Sequence, residues 1–488
     1  MTVFATPTLA PSLPAVPSTL LVGGRWRPAA GGATFPVDNP ATGETLIEVA
    51  DADAGDALDA IRAAADAQPA LTALSPAQRA TLLRRVEAAL RERVDELALL
   101  ITLEMGKPIT ESRGEVAYAA DFFGWFADEA LRIGGDYRLS PTGLTRILVQ
   151  HRAVGPCLLV TPWNFPLAMG ARKIAPAIAA GCPSVLKPAE QTPLTSLLLA
   201  QIIEEAGAPA GAVNVVTTSR PAAVVSTVIE SGLARKLSFT GSTEVGKLLL
   251  AQCSAHVMRT SMELGGNAPF IVCEDADLDA AVEGALLAKM RNVGQACTAA
   301  NRFLVAESLA PEFTSRLADR MGAMTVAAGW QDDAEVGPLI DDAAVSKFER
   351  LVADALDRGA AIEVGGGPAN GRFVEPTVLS NVAPGTTLLD EEIFGPLAPI
   401  TTFREEEAAV NTANGTPYGL VSYVYTRDLE RALRMVGNLA SGMVGVNVGV
   451  VSNAAAPFGG IKQSGLGREG GLEGIAEYLD TTYAAIPV

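Results

Sequence analysis

The 488-residue chain is expected to be an α/β protein with two parallel-sheet lobes. Two observations predict this. Short apolar runs alternate with helix-compatible segments from Cys157 onward, and the alternation starts afresh near Phe270. Strands covered on both faces of a parallel sheet read as such unbroken apolar runs. The length is also about three times the usual domain prior of roughly 150 residues, and 49% hydrophobic content can fill more than one core.

Taken in order, residues 1–19 are rich in Pro, Ala, Ser and Thr, with neither a basic start nor a long apolar run. A loose tail is expected there, not a signal peptide. Residues 20–26 and 45–49 read as short strands around the Asn39-Pro40-Ala41-Thr42-Gly43 turn. From Asp53 to about Phe126, Ala, Leu, Arg and Glu recur with helical period, broken at Ser75-Pro76 and at Gly106-Lys107-Pro108, so several packed helices should follow. Residues 146–154 read as an extended, partly exposed strand ending at Gly155-Pro156. The first parallel series then runs through 157–160, 184–187, 213–216 and 236–239, and the second through 270–272 and 302–305 to 445–447.

Composition narrows the function. A formal charge of -18 disfavours a nucleic-acid or anionic-membrane surface, which needs a clustered positive field. The five cysteines form no CxxC pair, so disulfides, structural zinc and other metal sites are not expected, and a reducing cytoplasm fits. No 18-residue span is free of Gly, Pro and charge. His151 and His256, the only histidines, sit in polar or basic surroundings without metal-ligand spacing. Acid–base work therefore falls to carboxylates, Lys, Tyr or Cys.

Five segments carry that chemistry. Gly294-Gln295-Ala296 leads into Cys297, and Glu263 lies upstream on a glycine-flanked turn: a thiol nucleophile and a carboxylate able to serve as its base and later to activate water. Thr161-Pro162-Trp163-Asn164 follows the first parallel strand, at the end where α/β sheets bind ligands, and Asn164 there is either an oxyanion donor or an ordinary turn residue. Lys187 and Glu190 end the next strand and are either ribose partners or a solvated loop. Gly241-Ser242 opens a helix whose backbone N–H groups suit a pyrophosphate, although Gly-Ser alone is only an N-cap.

These segments, with Glu392-Ile393-Phe394-Gly395-Pro396 and the closing run from Pro457 to Glu469, occur in an order that resembles the NAD(P)-dependent aldehyde dehydrogenase superfamily over nearly all of the chain after the tail. The resemblance implies that Cys297 attacks the aldehyde, that Asn164 and the Cys297 N–H hold the oxyanion, and that Glu263 activates the hydrolytic water. It implies cofactor contacts from Thr161, Pro162, Trp163, Lys187, Glu190, Gly241, Ser242, Leu264, Glu392 and Phe394. NAD is favoured by Glu190, with NADP possible because Lys187 is near.

Arg172, Arg291 and Ser452 match positions that bind the substrate carboxylate in succinate-semialdehyde dehydrogenases, so succinate semialdehyde or a close relative is the expected substrate. Glutarate semialdehyde, uncharged aldehydes, a coenzyme A- or phosphate-dependent thioester-forming reaction and a non-catalytic binding role are the alternatives. Ala299 stands where some of those enzymes have a second cysteine, so no local disulfide switch is expected. The resemblance further implies a cofactor-binding domain over 20–133 and 155–262, a catalytic domain over 263–470, and an oligomerisation extension over 134–154 and 471–488. That extension would join a homodimer or homotetramer through sheet edges.

Overall fold

The computed structural model describes residues 3–4 and 8–488. Among these, the strands build two large sheets and three small ones, and the helices cover both faces of the large sheets. The first large sheet runs in the order 465–466, 259–263, 236–240, 157–160, 184–187, 213–215, 20–22 and 25–27, parallel through its middle five strands and antiparallel at both edges. Every residue of Cys157–Val160, Ser184–Lys187, Val213–Val215 and Lys236–Thr240 is buried, as two-sided coverage demands. The second sheet runs 361–364, 377–380, 397–403, 300–306, 268–272, 421–425 and 443–446, with only its first pair antiparallel.

The helical region resolves into Ala54–Ala73, Pro76–Glu92, Val94–Met105 and Ile109–Ala130. Local chemistry sets these limits. Asp53 and Ser75 each form a capping box, Pro76 begins its helix, and Gly106 in the left-handed conformation ends the third helix. The apolar faces of Pro76–Glu92 and Ile109–Ala130 pack on Ala168–Ala180, a helix buried along its whole length, and with Val94–Met105 they form the larger core, whereas Ala54–Ala73 packs in a second cluster with Val185 and Leu237.

Three expectations need adjustment. Residues 20–22 and 25–27 form their own hairpin, and the strand across the 39–43 turn from Thr45–Ala50 is Thr34–Asp38. The Gly23-Gly24 step, with both glycines at positive φ, turns the chain sooner than the apolar run suggests. Gly465–Leu466 pairs with Met262 and Glu263, so the chain re-enters the first lobe before residue 470. The helix Gly471–Ala476 likewise packs on the first lobe's helices as well as on the extension strand that follows it. Of the tail expected over 1–19, residues 1–2 and 5–7 lie outside the described residues. Val3–Phe4 pairs in parallel with Thr325–Val326, and Leu13 and Val16 pack against the larger core.

The extension is a three-stranded antiparallel sheet in which Thr145–Ala153 lies between Asp136–Leu139 and Leu479–Pro487. Among the described residues no helix is long and apolar enough to cross a membrane, no group of side chains is arranged to hold a metal, and all five cysteines are free.

Candidate active site

The carboxyl ends of the first sheet's strands face the amino ends of the second sheet's strands across a cavity of about 370 Å³. Asn164, Gly241 and Glu263 come from loops that leave strands of the first sheet, while Cys297 and Glu392 precede strands Ala300–Ala306 and Leu397–Phe403 of the second. All five line the same cleft. Neither histidine does, which leaves acid–base work to the carboxylates, Tyr118, Lys347 or the thiol itself.

Cys297 is delivered by a strained bend. Asn292, Val293 and Gly294 all have left-handed φ values, 58°, 59° and 73°. A β-branched residue rarely adopts such a conformation, so the surroundings must enforce it. Asn292 Nδ2 donates to Asn164 O at 2.9 Å and to Gln295 O at 2.8 Å, and its backbone N–H donates to Glu111. Gly294 cannot be replaced, because a Cβ there would stand 2.3 Å from Gly395 O. Asn164 Nδ2 donates one hydrogen to Gln295 O at 2.9 Å, which fixes the amide plane and leaves its second hydrogen for a ligand. Lys107, bonded to Glu115 at 2.6 Å, also donates to Asn164 O at 2.8 Å, and Glu115 accepts from the amides of Leu167 and Ala168.

The electrostatics follow from burial. Desolvation pushes the Cys297 thiol up to about 12; Arg172 and Arg291 oppose this, while Glu392 and Glu263 add to it. The resting thiol is therefore neutral at physiological pH and needs a base to react. Burial likewise holds Glu263 well above the usual carboxylate range, helped by Glu469 and opposed by Arg172, Lys173 and Arg468. Both Glu263 oxygens are buried without a hydrogen-bond partner among the described residues. Glu469 itself, although desolvated, is held low by Lys173 and Arg172; its carboxylate bonds Lys173 and lies 2.8 Å from Arg172.

Of the positions tied to a substrate carboxylate, Arg291 Nη1 donates to Ser452 Oγ at 3.2 Å, and both line the cleft. Arg172 lines it too, stacked 3.9 Å over the Phe458 ring, but shares its charge with Glu469. Pro162, Trp163, Ser242, Leu264 and Phe394 complete the wall, with Trp163 edge-on to Phe394 at 5.5 Å. Thr161, Lys187 and Glu190 do not line this cavity; Lys187 Nζ lies 3.3 Å from Glu190.

A dinucleotide fits what is present. Ser242 caps the helix Thr243–Ser254, whose first-turn amides have no intrahelical partner. A Cβ on Gly265 would stand 3.0 Å from Glu392 Oε2 and 3.4 Å from Thr243 Oγ1, so its absence keeps that gap open. Glu392, raised to about 7 by burial, gives one oxygen to the Gly266 N–H at 3.1 Å.

The family model described as the aldehyde dehydrogenase family matches residues 26–484. The chain belongs to the aldehyde dehydrogenase family. It is 55% identical over 443 residues to a succinate-semialdehyde dehydrogenase of Paenarthrobacter nicotinovorans, covering 90% of this chain and 98% of that one. It is 47% identical to the NADP(+) succinate-semialdehyde dehydrogenase of Escherichia coli, covering 96% and 97%. The crystal structure of succinate-semialdehyde dehydrogenase from Burkholderia pseudomallei superposes with a TM-score of 0.96 at 47% identity, covering 97% and 98%.

Residues of this aldehyde dehydrogenase site that the sequence motifs did not single out are Tyr118, Phe165, Lys107, Glu111, Glu115, Asn292 and Lys173. One signal was available for Lys173: adjacent cations in the otherwise apolar helix Ala168–Ala180. Tyr118, Glu111 and Glu115 lie in a stretch whose pattern reads as helix and Lys107 in one that reads as a break, while Phe165 and Asn292 adjoin the Asn164 and Cys297 motifs.

Proposed function

We propose that the protein oxidises succinate semialdehyde, or a close carboxylate-bearing semialdehyde, to the dicarboxylate with NAD(P). The observation that carries this is the Arg291–Ser452 pair, which places a guanidinium with no acidic ion-pair partner among the described residues in the same cleft as Cys297. Such a fork recognises a carboxylate at the far end of a short aldehyde, with Arg172 adding positive field.

In the proposed mechanism ionised Glu263 takes the Cys297 thiol proton and passes it to solvent, the sulfur bonds to the aldehyde carbon, and the free hydrogen of the Asn164 amide with the Cys297 backbone N–H holds the oxyanion. NAD(P), when bound, would supply the acceptor for the hydride lost from that carbon. The resulting thioester stays on Cys297 until Glu263, in its ionised form, takes a proton from water; the water oxygen bonds to the carbonyl carbon, the C–S bond breaks, and the carboxylate leaves. Glu263 thereby favours hydrolysis over transfer to coenzyme A or phosphate. Gly241, Ser242 and the helix start behind them would hold the pyrophosphate, Glu392 the nicotinamide ribose, and Pro162, Trp163, Leu264 and Phe394 the apolar walls. Thr161, Lys187 and Glu190 would reach the adenosine end.

Both dinucleotides are proposed as cofactors. The case for NAD rests on Glu190, and Lys187 beside it offers an ammonium to a 2′-phosphate. Assembly as a homodimer or homotetramer is proposed through the three-stranded sheet, where Tyr137, Leu139, Tyr483 and Ile486 stand exposed.

The deciding experiment compares kcat/KM for succinate semialdehyde and butanal in the native protein and in Arg172→Ala and Arg291→Ala. A strong native preference for the semialdehyde that both variants lose supports the proposal. A preference unchanged in both would sink it.

A further inference from the structure

On the reading that the substrate carries a distal carboxylate, we propose that Tyr118 is a further substrate-binding residue, its hydroxyl donating to that carboxylate beside Arg291 and Ser452. The helix Ile109–Ala130 brings Tyr118 to the cleft wall, and its buried hydroxyl meets no hydrogen-bond partner of good geometry among the described residues, with only the Ser452 hydroxyl near enough to interact. A buried hydroxyl is normally paired, so one left open in a ligand cleft points to a ligand atom as its partner. The ring is held in place: Phe122 meets it edge-on at 4.9 Å, and the Arg291 guanidinium lies 6.0 Å from its centroid and 5.0 Å from that of Phe165. Burial raises the phenol, which keeps the hydroxyl protonated as a donor at neutral pH.

The position of Tyr118 also bears on substrate length. Tyr118 and Ser452 line two spaces at once, the inner cleft and an outer vestibule that also contains Arg84, Glu87, Asp121 and Asp128. In the vestibule Arg84 is already engaged, with Glu87 at 2.8 Å and Asp128 at 2.6 Å, while Asp121 is paired with Arg91 at 2.7 Å. The outer space therefore offers carboxylates and occupied arginines to an incoming anion, and the inner space offers open donors. Tyr118 stands at the boundary. A substrate whose carboxylate ends on the inner side is held by Arg291, Ser452 and Tyr118, and one long enough to push its carboxylate past the ring meets like charge.

The test uses Tyr118→Phe, which keeps the ring and its packing, alongside Arg291→Ala. The preference for succinate semialdehyde over butanal, measured as a ratio of kcat/KM within each variant, should fall about tenfold in Tyr118→Phe, chiefly through KM for the semialdehyde. Succinate should also protect Cys297 from iodoacetamide at concentrations several-fold higher than in the native protein, a binding readout that requires no turnover. If the ratio and the protection are unchanged in Tyr118→Phe while Arg291→Ala abolishes both, Tyr118 is not a substrate ligand and the carboxylate reading stands. If neither variant changes them, that reading fails and Tyr118 with it.

Discussion

Cys297 enters the resting state as a neutral thiol because it sits deep in the cleft, and the cations near it only partly offset that desolvation. In the ligand-free protein its alkylation by iodoacetamide should therefore rise with pH and still be climbing at roughly pH 10. Arg172 lowers the thiol's pKa, so Arg172→Met should displace the rate–pH curve to higher pH; a curve that stays in place would show that Arg172 exerts no field on the sulfur. Cys297→Ser should lower turnover by about a thousandfold or more, since a hydroxyl at that site lacks a base strong enough to ionise it. At the adenosine end, Lys187→Met should reduce kcat/KM with NADP more than with NAD, because only the phosphorylated ribose gains from the ammonium. Equal losses with both would remove Lys187 from cofactor discrimination.

At the level of elements, the thiol loop and the asparagine loop are held as one unit by the start of the helix Ile109–Ala130 and the turn before it. Lys107 and Glu115 are both fully buried and joined at 2.6 Å. Glu115 also satisfies two amides at the start of the helix Ala168–Ala180, and Glu111 holds the strained bend through the Asn292 N–H. Lys107→Met leaves the Glu115 carboxylate buried without its cation and should cost about 3–5 kcal/mol in urea unfolding. Turnover should fall as well, since Asn164 O loses a donor. A stability loss well under 1 kcal/mol would mean that the pair is dispensable. Gly106-Lys107-Pro108 was legible only as a helix break. The backbone signal, a left-handed glycine followed by Lys-Pro, was local and visible, whereas the lysine's partners at 115 and 164 lie on other segments.

The whole molecule places one cleft between two sheets of opposite orientation, so that three loops from the first sheet converge on two from the second. Its C-terminal strand Leu479–Pro487 crosses back to pair along the whole of Thr145–Ala153. Deleting residues 479–488 would expose that long strand edge and remove Tyr483 and Ile486 from the proposed subunit contact. Light scattering after gel filtration should then show loss of the proposed oligomer or aggregation; an unchanged mass per particle would place any subunit contact elsewhere.

The sequence alone singled out the thiol and carboxylate that the fold brings to one cleft, and it was sufficient for the helix breaks and most of the buried parallel strands, because caps, turns and hydrophobic period are written in neighbouring residues. The hairpin at 20–27 and the return of residues 465–466 to the first sheet were not, since they depend on which edge lies open after the rest has packed. Tertiary structure alone decided the ionisation of the site: Glu469 reaches Lys173 across 296 residues of chain, and the resting protonation of Glu263 and Cys297 follows from the burial and mixed charges that such distant contacts create.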